Sequence, residues 1–267
     1  MIRLAAQEAT LPGANLEEQF QFALDCGFDG IELSGQGNGV FGARAEELRR
    51  ARDAGVQMCS AVMHTPTFLG SFEPQARATA IADLKVLLST IVEAGGLGIV
   101  SPNAFGVFSR KLPPFTPPRS QEESRRLLVE ALVELGEHAV REGSTLFLEP
   151  LNRYEDYLVN TLADAVSVVE EVGSPGVAVI ADTYHMSIEE ADPAASILAA
   201  GAHVRHVQLG DSNRLEPGAG HYDWPATLAA LDQIGFDGWL AMECGLSAPV
   251  EEVLPKVAAL LTRPMIS

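Results

Sequence analysis

Residues 145–155, TLFLEPLNRYE, are the stretch of sequence that decides the fold. The first half is a short apolar run, residues 146–148, which lies between Gly143 and Pro150. Apolar runs with such boundaries are typical of strands that are buried on both faces of a sheet. The run ends at Glu149, and a buried carboxylate is costly unless it is paired or binds a cation. The stretch therefore predicts a buried strand with a functional carboxylate at its carboxyl end.

Strand-like and helix-like runs alternate along the whole chain. The expected strands are residues 2–6, 30–33, 56–62, 98–100, 145–148, 177–181, 204–209 and 239–242. The expected helices are residues 16–26, 43–54, 73–94, 120–142, 161–172, 193–200, 225–234 and 250–261. Strands that are separated by helices pair in parallel, because a parallel crossover needs a long connection.

Eight strand–helix units in about 250 residues match the count of an α/β (β/α)8 TIM barrel. The 267 residues are therefore expected to form a single domain, residues 1–267, with this fold. A doubly wound open sheet is the alternative, and its first strand is usually followed by a glycine-rich phosphate-binding turn. Here the segment after the first strand reads QEATLPGAN and contains no GxGxxG pattern, which favours the barrel.

Charge and composition exclude several classes of protein. The formal net charge of −18 argues against binding to the polyanionic backbone of nucleic acid. The three cysteines have no CxxC spacing, so the sequence supports neither a disulfide framework nor a zinc–cysteine site. We expect neither a membrane helix nor a signal peptide, so a cytoplasmic protein is the default expectation. Apolar residues in the predicted loops are compatible with a homo-oligomer.

Polar side chains follow the last apolar residues of several strands, and the carboxyl ends of barrel strands converge on one site. These residues are His64, Glu149, Asp182, His185, His206, Gln208, Asp211 and Glu243. Three crowded carboxylates would repel one another without a cation. The oxygen-rich set predicts one divalent metal ion, Mn²⁺ or Mg²⁺, with Co²⁺ also compatible. Gln208 could instead form hydrogen bonds inside the barrel.

Each residue also has a purely structural explanation. Glu149 could pair with Arg153 or Arg214, and Asp182 could cap the turn after its strand. His206 is expected to be a hydrogen-bonded core histidine rather than a metal ligand. The functional explanation gains weight because convergent polar groups mark sites rather than cores.

Four runs resemble successive motifs of the sugar phosphate isomerase/epimerase family of xylose-isomerase-like TIM barrels. They are EPLNRYEDYLVNT (149–161), ADTYHMSIEEAD (181–192), HVQLGDSNRLEPGAGHYDW (206–224) and MECG (242–245). The resemblance is greatest to the ketose 3-epimerases and the hydroxypyruvate isomerases. It implies a single divalent ion with four protein ligands: Glu149, Asp182, Gln208 and Glu243. It also implies three substrate contacts: Glu155, His185 and Arg214.

The two related groups differ at the third ligand. Ketose 3-epimerases typically have His where this chain has Gln208, whereas hydroxypyruvate isomerases have Gln in a similar His-x-Gln run. Glu155, His185 and Arg214 match substrate-contact positions of the epimerases. His64, at the end of the third strand, is a further candidate for substrate binding.

The resemblance implies an enzyme that isomerises or epimerises a ketose, or a related small hydroxy-ketone or keto-acid. In this interpretation Glu149 and Glu243 act as acid and base, and the metal stabilises the enediolate. A lyase or dehydratase that acts on a keto-sugar, keto-glycoside or keto-inositol could use the same site. A non-catalytic sugar-binding barrel is a remote alternative. A DNA-repair endonuclease of the same superfamily is disfavoured by the net charge.

A proline-rich loop, residues 102–119, follows the fourth strand. In a barrel it would lie at the mouth, where long loops often cover the substrate. A mobile surface loop is the alternative.

Overall fold

The computed structural model describes residues 2–262 of the chain. Within that range eight strands form one closed barrel, and each strand pairs in parallel with its neighbours in chain order. The strands are β1 (Arg3–Gln7), β2 (Gly30–Gln36), β3 (Met58–His64), β4 (Gly98–Pro102), β5 (Thr145–Glu149), β6 (Val177–Asp182), β7 (Val204–Leu209) and β8 (Trp239–Met242). The predicted (β/α)8 barrel is confirmed. Residue 1 and residues 263–267, the ends of the expected 1–267 domain, lie outside the described residues.

Ten α-helices occur between residues 2 and 262. They are α1 (Leu16–Asp25), α2 (Val40–Ala43), α3 (Ala45–Asp53), α4 (Pro74–Glu93), α5 (Gln121–Glu142), α6 (Leu162–Val172), α7 (Thr183–Glu189), α8 (Pro193–Ala200), α9 (Trp224–Gln233) and α10 (Val250–Leu261). Side chains cap the first turns of α1 and α5: Asn15 and Ser120 accept hydrogen bonds from the backbone N–H groups of Glu18 and Glu123. None of the helices in residues 2–262 is long and apolar enough to span a membrane.

Two details of the helices differ from the expectation. The predicted helix over residues 43–54 is α3, and a short helix that was not predicted, α2, precedes it and meets it at Arg44. Helix α7 was not predicted, because its seven residues are too few to show a helical apolar period. It begins directly after β6, where the side chain of Asp182 caps its first turn.

Several strands extend further toward their carboxyl ends than the apolar runs indicate. Strand β2 reaches Gln36 and β3 reaches His64, and these two residues are paired in the parallel register. Strand β4 reaches Pro102, which is paired with Glu149 of β5. Polar residues at the ends of strands therefore remain in the sheet, and they stand at the rim of the barrel.

Apolar side chains fill the space between strands and helices, and two smaller clusters occupy the barrel interior. One interior cluster contains Ala5, Cys59, Trp239 and Ala241, and the other contains Val62, Val100, Phe147, Ala178 and Ile180. Polar residues that are fully or almost fully buried lie in the same interior: Glu32, Ser60, His206 and Gln208. The barrel is therefore packed rather than hollow, and its interior carries a polar layer.

Candidate active site

A cavity of about 150 Å³ opens at the carboxyl ends of the strands. Six of the residues singled out from the sequence line it: His64, Glu149, Glu155, His185, Arg214 and Glu243. Phe105 of the proline-rich loop also lines it, so this loop lies at the mouth as predicted. Phe68 contacts Phe105 edge to face, with ring centroids 6.1 Å apart, and completes an apolar side of the cavity.

Three buried side chains form a group that could hold a metal ion. Glu149, Asp182 and His185 each offer one ligand atom, and these atoms lie within 4.8 Å of one another. Gln208 is beside this group, because it is paired with Asp182 in the register of β6 and β7. Strand β8 delivers Glu243 from the next position around the barrel, directly after Met242.

The carboxyl groups of the site have pKa values far above those of exposed acids. Burial, then Glu243 and Asp182, raise the pKa of Glu149 well above its usual range. Burial raises the pKa of Asp182 to about 7. Glu243 keeps part of its surface exposed, but burial of its carboxyl and the nearby Asp182 raise its pKa to about 8. Crowded acids of this kind favour the binding of a cation, which would restore their ionised forms.

The buried amide of Gln208 also fits a metal site. Its Nε2 donates a hydrogen bond of 2.9 Å to Glu32 Oε2. Its Oε1 is buried and has no hydrogen-bond partner within residues 2–262. A buried carbonyl oxygen without a partner is costly unless it binds something. An oxygen-binding divalent cation would satisfy it together with the neighbouring carboxylates, so the residues present fit such an ion.

The protonation of His185 is fixed by its neighbours. Its Nδ1 accepts hydrogen bonds from the backbone N and the side-chain Nδ2 of Asn152, at 3.1 and 2.9 Å. The backbone N–H of Tyr154 donates to Asn152 Oδ1, which fixes the orientation of that amide. Burial lowers the pKa of His185 to about 4, so the ring is neutral at pH 7. The proton is therefore on Nε2, which lies 3.8 Å from Glu149 Oε1.

The two arginine pairings that were considered for Glu149 are wrong. Arg153 forms an ion pair with Glu189 at 2.8 Å, and Arg214 forms one with Glu155 at 2.7 Å. Arg214 has a positive φ of 60° and lies over the ring of Tyr184. Glu155 Oε2 remains buried without a hydrogen-bond partner in the described range. The Glu155–Arg214 pair thus joins the loops after β5 and β7 and leaves one acceptor atom unused.

Three further residues that the sequence singled out, Asp182, His206 and His64, differ in the contacts that they make. Asp182 does cap the turn after its strand, since Oδ1 accepts from the backbone N of His185 at 3.0 Å. His206 is a core histidine, as expected, and it is stacked on Phe147. His64 Nδ1 shares a hydrogen bond of 2.8 Å with Ser34 Oγ at the rim.

Asp211 lies outside the candidate metal group and organises the loop after β7. Its carboxylate accepts hydrogen bonds from the backbone N–H groups of Ser212, Gly218 and Tyr222, and from Trp224 Nε1. These bonds hold the pKa of Asp211 below its usual value despite burial. The loop that carries Arg214 is thereby folded around one buried acid.

Glu32 is a polar residue of the barrel interior that was not predicted from the sequence. This glutamate of β2 is fully buried inside the barrel, where it contacts His206 and Gln208 of β7. The only signal in the sequence is one charged residue within the apolar run GIELSG. Its two partners on β7 are 174 and 176 residues away in the chain, so no local pattern identifies them.

The sequence matches the xylose isomerase-like TIM barrel family over residues 20–263. It is 32% identical to the 3-dehydro-D-guloside 4-epimerase of Escherichia coli strain K12 over 243 residues. That alignment covers 91% of this chain and 92% of the relative. A crystal structure of 3-keto-D-glucoside 4-epimerase from E. coli, in its apo form, superposes with a TM-score of 0.91 at 31% identity. It covers 98% of this chain and 100% of the solved chain.

A second group of relatives is similar over a shorter segment. The D-psicose 3-epimerase of Enterocloster bolteae is 38% identical over 138 residues. These residues are 52% of this chain and 46% of that protein.

Proposed function

The chain belongs to the xylose isomerase-like TIM barrel family, and we propose that it is a metal-dependent epimerase of a keto-sugar. The observation that carries the proposal is the convergence of three acids with raised pKa values: Glu149 and Glu243 line one cavity, and Asp182 is buried beside Glu149. The full-length relative and the partial relatives carry the names of sugar epimerases, which supports the same reaction class. We further propose that residues 1–267 act as one domain.

We assign the metal ligands as Glu149, Asp182, Gln208 and Glu243. Three carboxylates and one neutral amide oxygen suit Mn²⁺ or Mg²⁺, with Co²⁺ also compatible. His185 is excluded from the ligand set, because its Nε2 carries a proton and its Nδ1 already accepts two hydrogen bonds. A metal held by these residues would act as a Lewis acid on the carbonyl oxygen of the substrate.

Two glutamates that line the cavity, at the carboxyl ends of β5 and β8, would move the proton. One of Glu149 and Glu243 accepts the proton from the carbon next to the carbonyl, and the electron pair of that C–H bond moves toward the carbonyl. The other glutamate returns a proton to the opposite face of the same carbon, which inverts its configuration. The reaction is redox-neutral, because the proton that one carboxylate removes is matched by the proton that the other carboxyl group returns.

The remaining cavity residues bind and orient the substrate. His185 donates its Nε2–H to a substrate oxygen beside Glu149. The unpartnered Glu155 Oε2 accepts from a substrate hydroxyl, while Arg214 holds that glutamate in place. His64 contacts the substrate from the rim. Phe68 and Phe105 exclude water from the apolar side.

The relative that matches in sequence along nearly the whole chain supports a substrate class. That relative is named as a 3-dehydro-D-guloside 4-epimerase, whereas the D-psicose 3-epimerase of Enterocloster bolteae aligns in sequence with 52% of this chain. We therefore propose a 3-keto-glycoside as substrate, with inversion at the carbon next to its keto group. Elimination of the glycosidic group from the same anion, a lyase reaction, is the second candidate function because the same proton is removed first.

The test is to replace each glutamate with glutamine and to assay a 3-keto-D-glucoside with saturating Mn²⁺. Glu149→Gln and Glu243→Gln should each reduce turnover by about 10²- to 10⁴-fold, the usual contribution of a positioned acid or base. Glu137→Gln on the exposed face of α5 is the matched control and should retain full turnover. The proposal fails if either cavity variant keeps wild-type turnover. NMR analysis of the products separates epimerase from lyase.

A further inference from the structure

Glu32 is a fully buried acid that the proposed mechanism does not use. Its Oε1 accepts hydrogen bonds from Ser60 Oγ at 2.8 Å and from His206 Nε2 at 2.9 Å. Its Oε2 accepts from Gln208 Nε2 at 2.9 Å, and Gln7 Nε2 lies 3.4 Å from the same oxygen. A buried acid with this many donors is a built feature of the barrel, since an incompletely paired charge there would be strongly destabilising.

The contact between Glu32 and β7 crosses the barrel interior. Strands β2 and β7 are not neighbours, because β8 and β1 lie between them in the closed sheet. Two irregularities in the register make the contact geometrically possible. Strand β3 gains one residue opposite the step from Ile31 to Glu32, and β7 gains one opposite the step from Val179 to Ile180. Bulges of this kind re-aim side chains, and here they bring Ser60 and His206 to the same carboxylate.

Glu32 decides which end of the Gln208 amide faces the metal group. A carboxylate accepts hydrogen bonds and cannot donate them, so the amide end beside Glu32 Oε2 must be the N–H₂ group. The carbonyl Oε1 must then point the other way, and it is the buried atom without a partner. If the amide were reversed, an N–H₂ group would face the site, and an N–H₂ group cannot bind a cation.

We propose that Glu32 is a positioning residue that orients the Gln208 amide, so that an oxygen is presented to the divalent metal ion. This inference rests on the proposed function, because it assumes that the metal binds at Glu149, Asp182, Gln208 and Glu243. The side-chain amide of Gln208 has an oxygen and an N–H₂ group, and only the oxygen can bind a metal ion. The hydrogen bond to Glu32 ensures that the oxygen is the atom that faces the metal site. Glu32 itself does not touch the metal or the substrate.

The first experiment measures Mn²⁺ affinity of Glu32→Gln by titration calorimetry and by the EPR signal of free Mn²⁺. The amide introduced at position 32 will turn its single oxygen toward the two donors, Ser60 and His206, and its N–H₂ group toward Gln208. The Gln208 amide then reverses and presents its N–H₂ group to the site. We expect Mn²⁺ affinity to fall about 10- to 100-fold, the usual cost of losing a group that orients a ligand.

The second experiment makes the same change in a Gln208→Glu background. A carboxylate at position 208 has two equivalent oxygens, so one accepts a hydrogen bond from the amide at position 32 while the other faces the metal. We expect Glu32→Gln to cause no loss of Mn²⁺ affinity in this background. An equal loss in both backgrounds would mean that Glu32 acts only through its negative charge, and it would overturn the inference. The double variant, Glu32→Gln with Gln208→Glu, has one carboxylate and one amide at these positions and the same side-chain volume as the wild type, so it should fold.

Ser60→Ala is the matched control, because it removes a hydrogen bond to the oxygen of Glu32 that does not contact Gln208. Its Mn²⁺ affinity should stay within about two-fold of wild type, well below the loss expected for Glu32→Gln. A loss as large as that of Glu32→Gln would overturn the inference in favour of general disruption of the barrel interior. Absence of Mn²⁺ binding by the wild type overturns the proposed function as well, whereas wild-type binding that Glu32→Gln leaves unchanged overturns only the role of Glu32.

Discussion

Single atoms, rather than residue types, decide the roles in this site. His185 lies within 4.8 Å of the ligand atoms of Glu149 and Asp182, so proximity alone would make it a metal ligand. Two N–H groups of Asn152 donate hydrogen bonds to Nδ1 of His185 and so place the ring proton on Nε2. A protonated Nε2 cannot bind a metal ion, so His185 is not a ligand. The same reasoning applies to Gln208, whose unpartnered atom is the oxygen.

His185→Leu tests this assignment. The variant should bind Mn²⁺ within about three-fold of wild type, because no ligand is lost, whereas Asp182→Asn should weaken binding by more than the roughly 10- to 100-fold cost of losing a supporting contact. The backbone N–H of residue 185 still caps Asp182 in the variant. Turnover should fall about 100-fold, because a hydrogen-bond donor to the reacting substrate is missing. Equal losses of Mn²⁺ affinity in the two variants would make His185 a ligand.

The polar strand ends could be predicted from the sequence, but the partners of each atom could not. Glu149, Asp182 and Glu243 were expected to converge because each follows an apolar strand, and the structure brings their carboxyl groups close enough to raise one another's pKa values. Glu32 lies within its strand and contacts β7 across the barrel. The bulges that permit this contact leave no local sequence pattern.

At the scale of elements, one buried acid connects two loops at the mouth of the barrel, those after β4 and β5. Asp156 Oδ2 accepts from the backbone N of Ala104, and Asp156 Oδ1 accepts from the backbone N of Leu158, both at 2.7 Å. The backbone N–H of Gly106 donates to the carbonyl of Glu155, also between these loops. The loop that carries Phe105 and the loop that carries Glu155 are therefore held together by one buried acid.

The stability that Asp156 contributes should depend on pH. Burial raises its pKa from the ordinary 3.8 to about 6 in the folded protein. A carboxyl group whose pKa is raised by folding contributes most to stability at pH values below its pKa in the unfolded chain. That contribution is lost as the pH rises through its pKa in the folded protein. The free energy of unfolding of wild type relative to Asp156→Asn should therefore decrease by about 3 kcal/mol between pH 3.5 and pH 7.

Urea unfolding at a series of pH values measures this difference. Asp232→Asn on the exposed face of α9 is the control for the loss of one carboxyl group. A difference between wild type and Asp156→Asn that stays constant with pH would mean that the pKa of Asp156 is not raised in the folded protein.

Most strands and helices could be predicted from the sequence, because the spacing of the apolar residues and the capping residues mark them. The errors occurred where tertiary structure decides the ends. Strand β3 continues to His64 because β2 pairs with it up to Gln36, and helix α7 exists because Asp182 caps it. Neither the pairing nor the cap changes the local apolar pattern from which the boundaries were predicted.

At the scale of the whole molecule, the closed barrel brings the carboxyl ends of all eight strands to one rim, so the binding of a metal ion there would be linked to folding. Three crowded acids oppose folding of the metal-free protein at neutral pH, and a bound cation relieves that cost. The net charge of −18 adds a general attraction for cations that falls with ionic strength.

Metal binding should therefore stabilise the whole domain. With free Mn²⁺ at about 100 times its Kd, linkage predicts roughly 2.7 kcal/mol of stabilisation. For a chain of this size that corresponds to an increase of about 5–10 °C in the unfolding temperature. Calorimetric scans with EDTA or with Mn²⁺ provide the measurement, and Asp182→Asn should show a much smaller increase. Identical unfolding temperatures with and without Mn²⁺ would contradict a metal site in the barrel.

The most direct test of the central claim, proton transfer by two glutamates at the carbon next to a carbonyl, is solvent deuterium uptake. The wild-type protein with Mn²⁺ is incubated with a 3-keto-D-glucoside in ²H₂O, and the epimer that forms is followed by NMR. Because the returning proton comes from a second carboxyl group that exchanges with solvent, the epimer should carry one deuterium at the inverted carbon. An epimer that retains its original hydrogen at that carbon would contradict the two-glutamate mechanism.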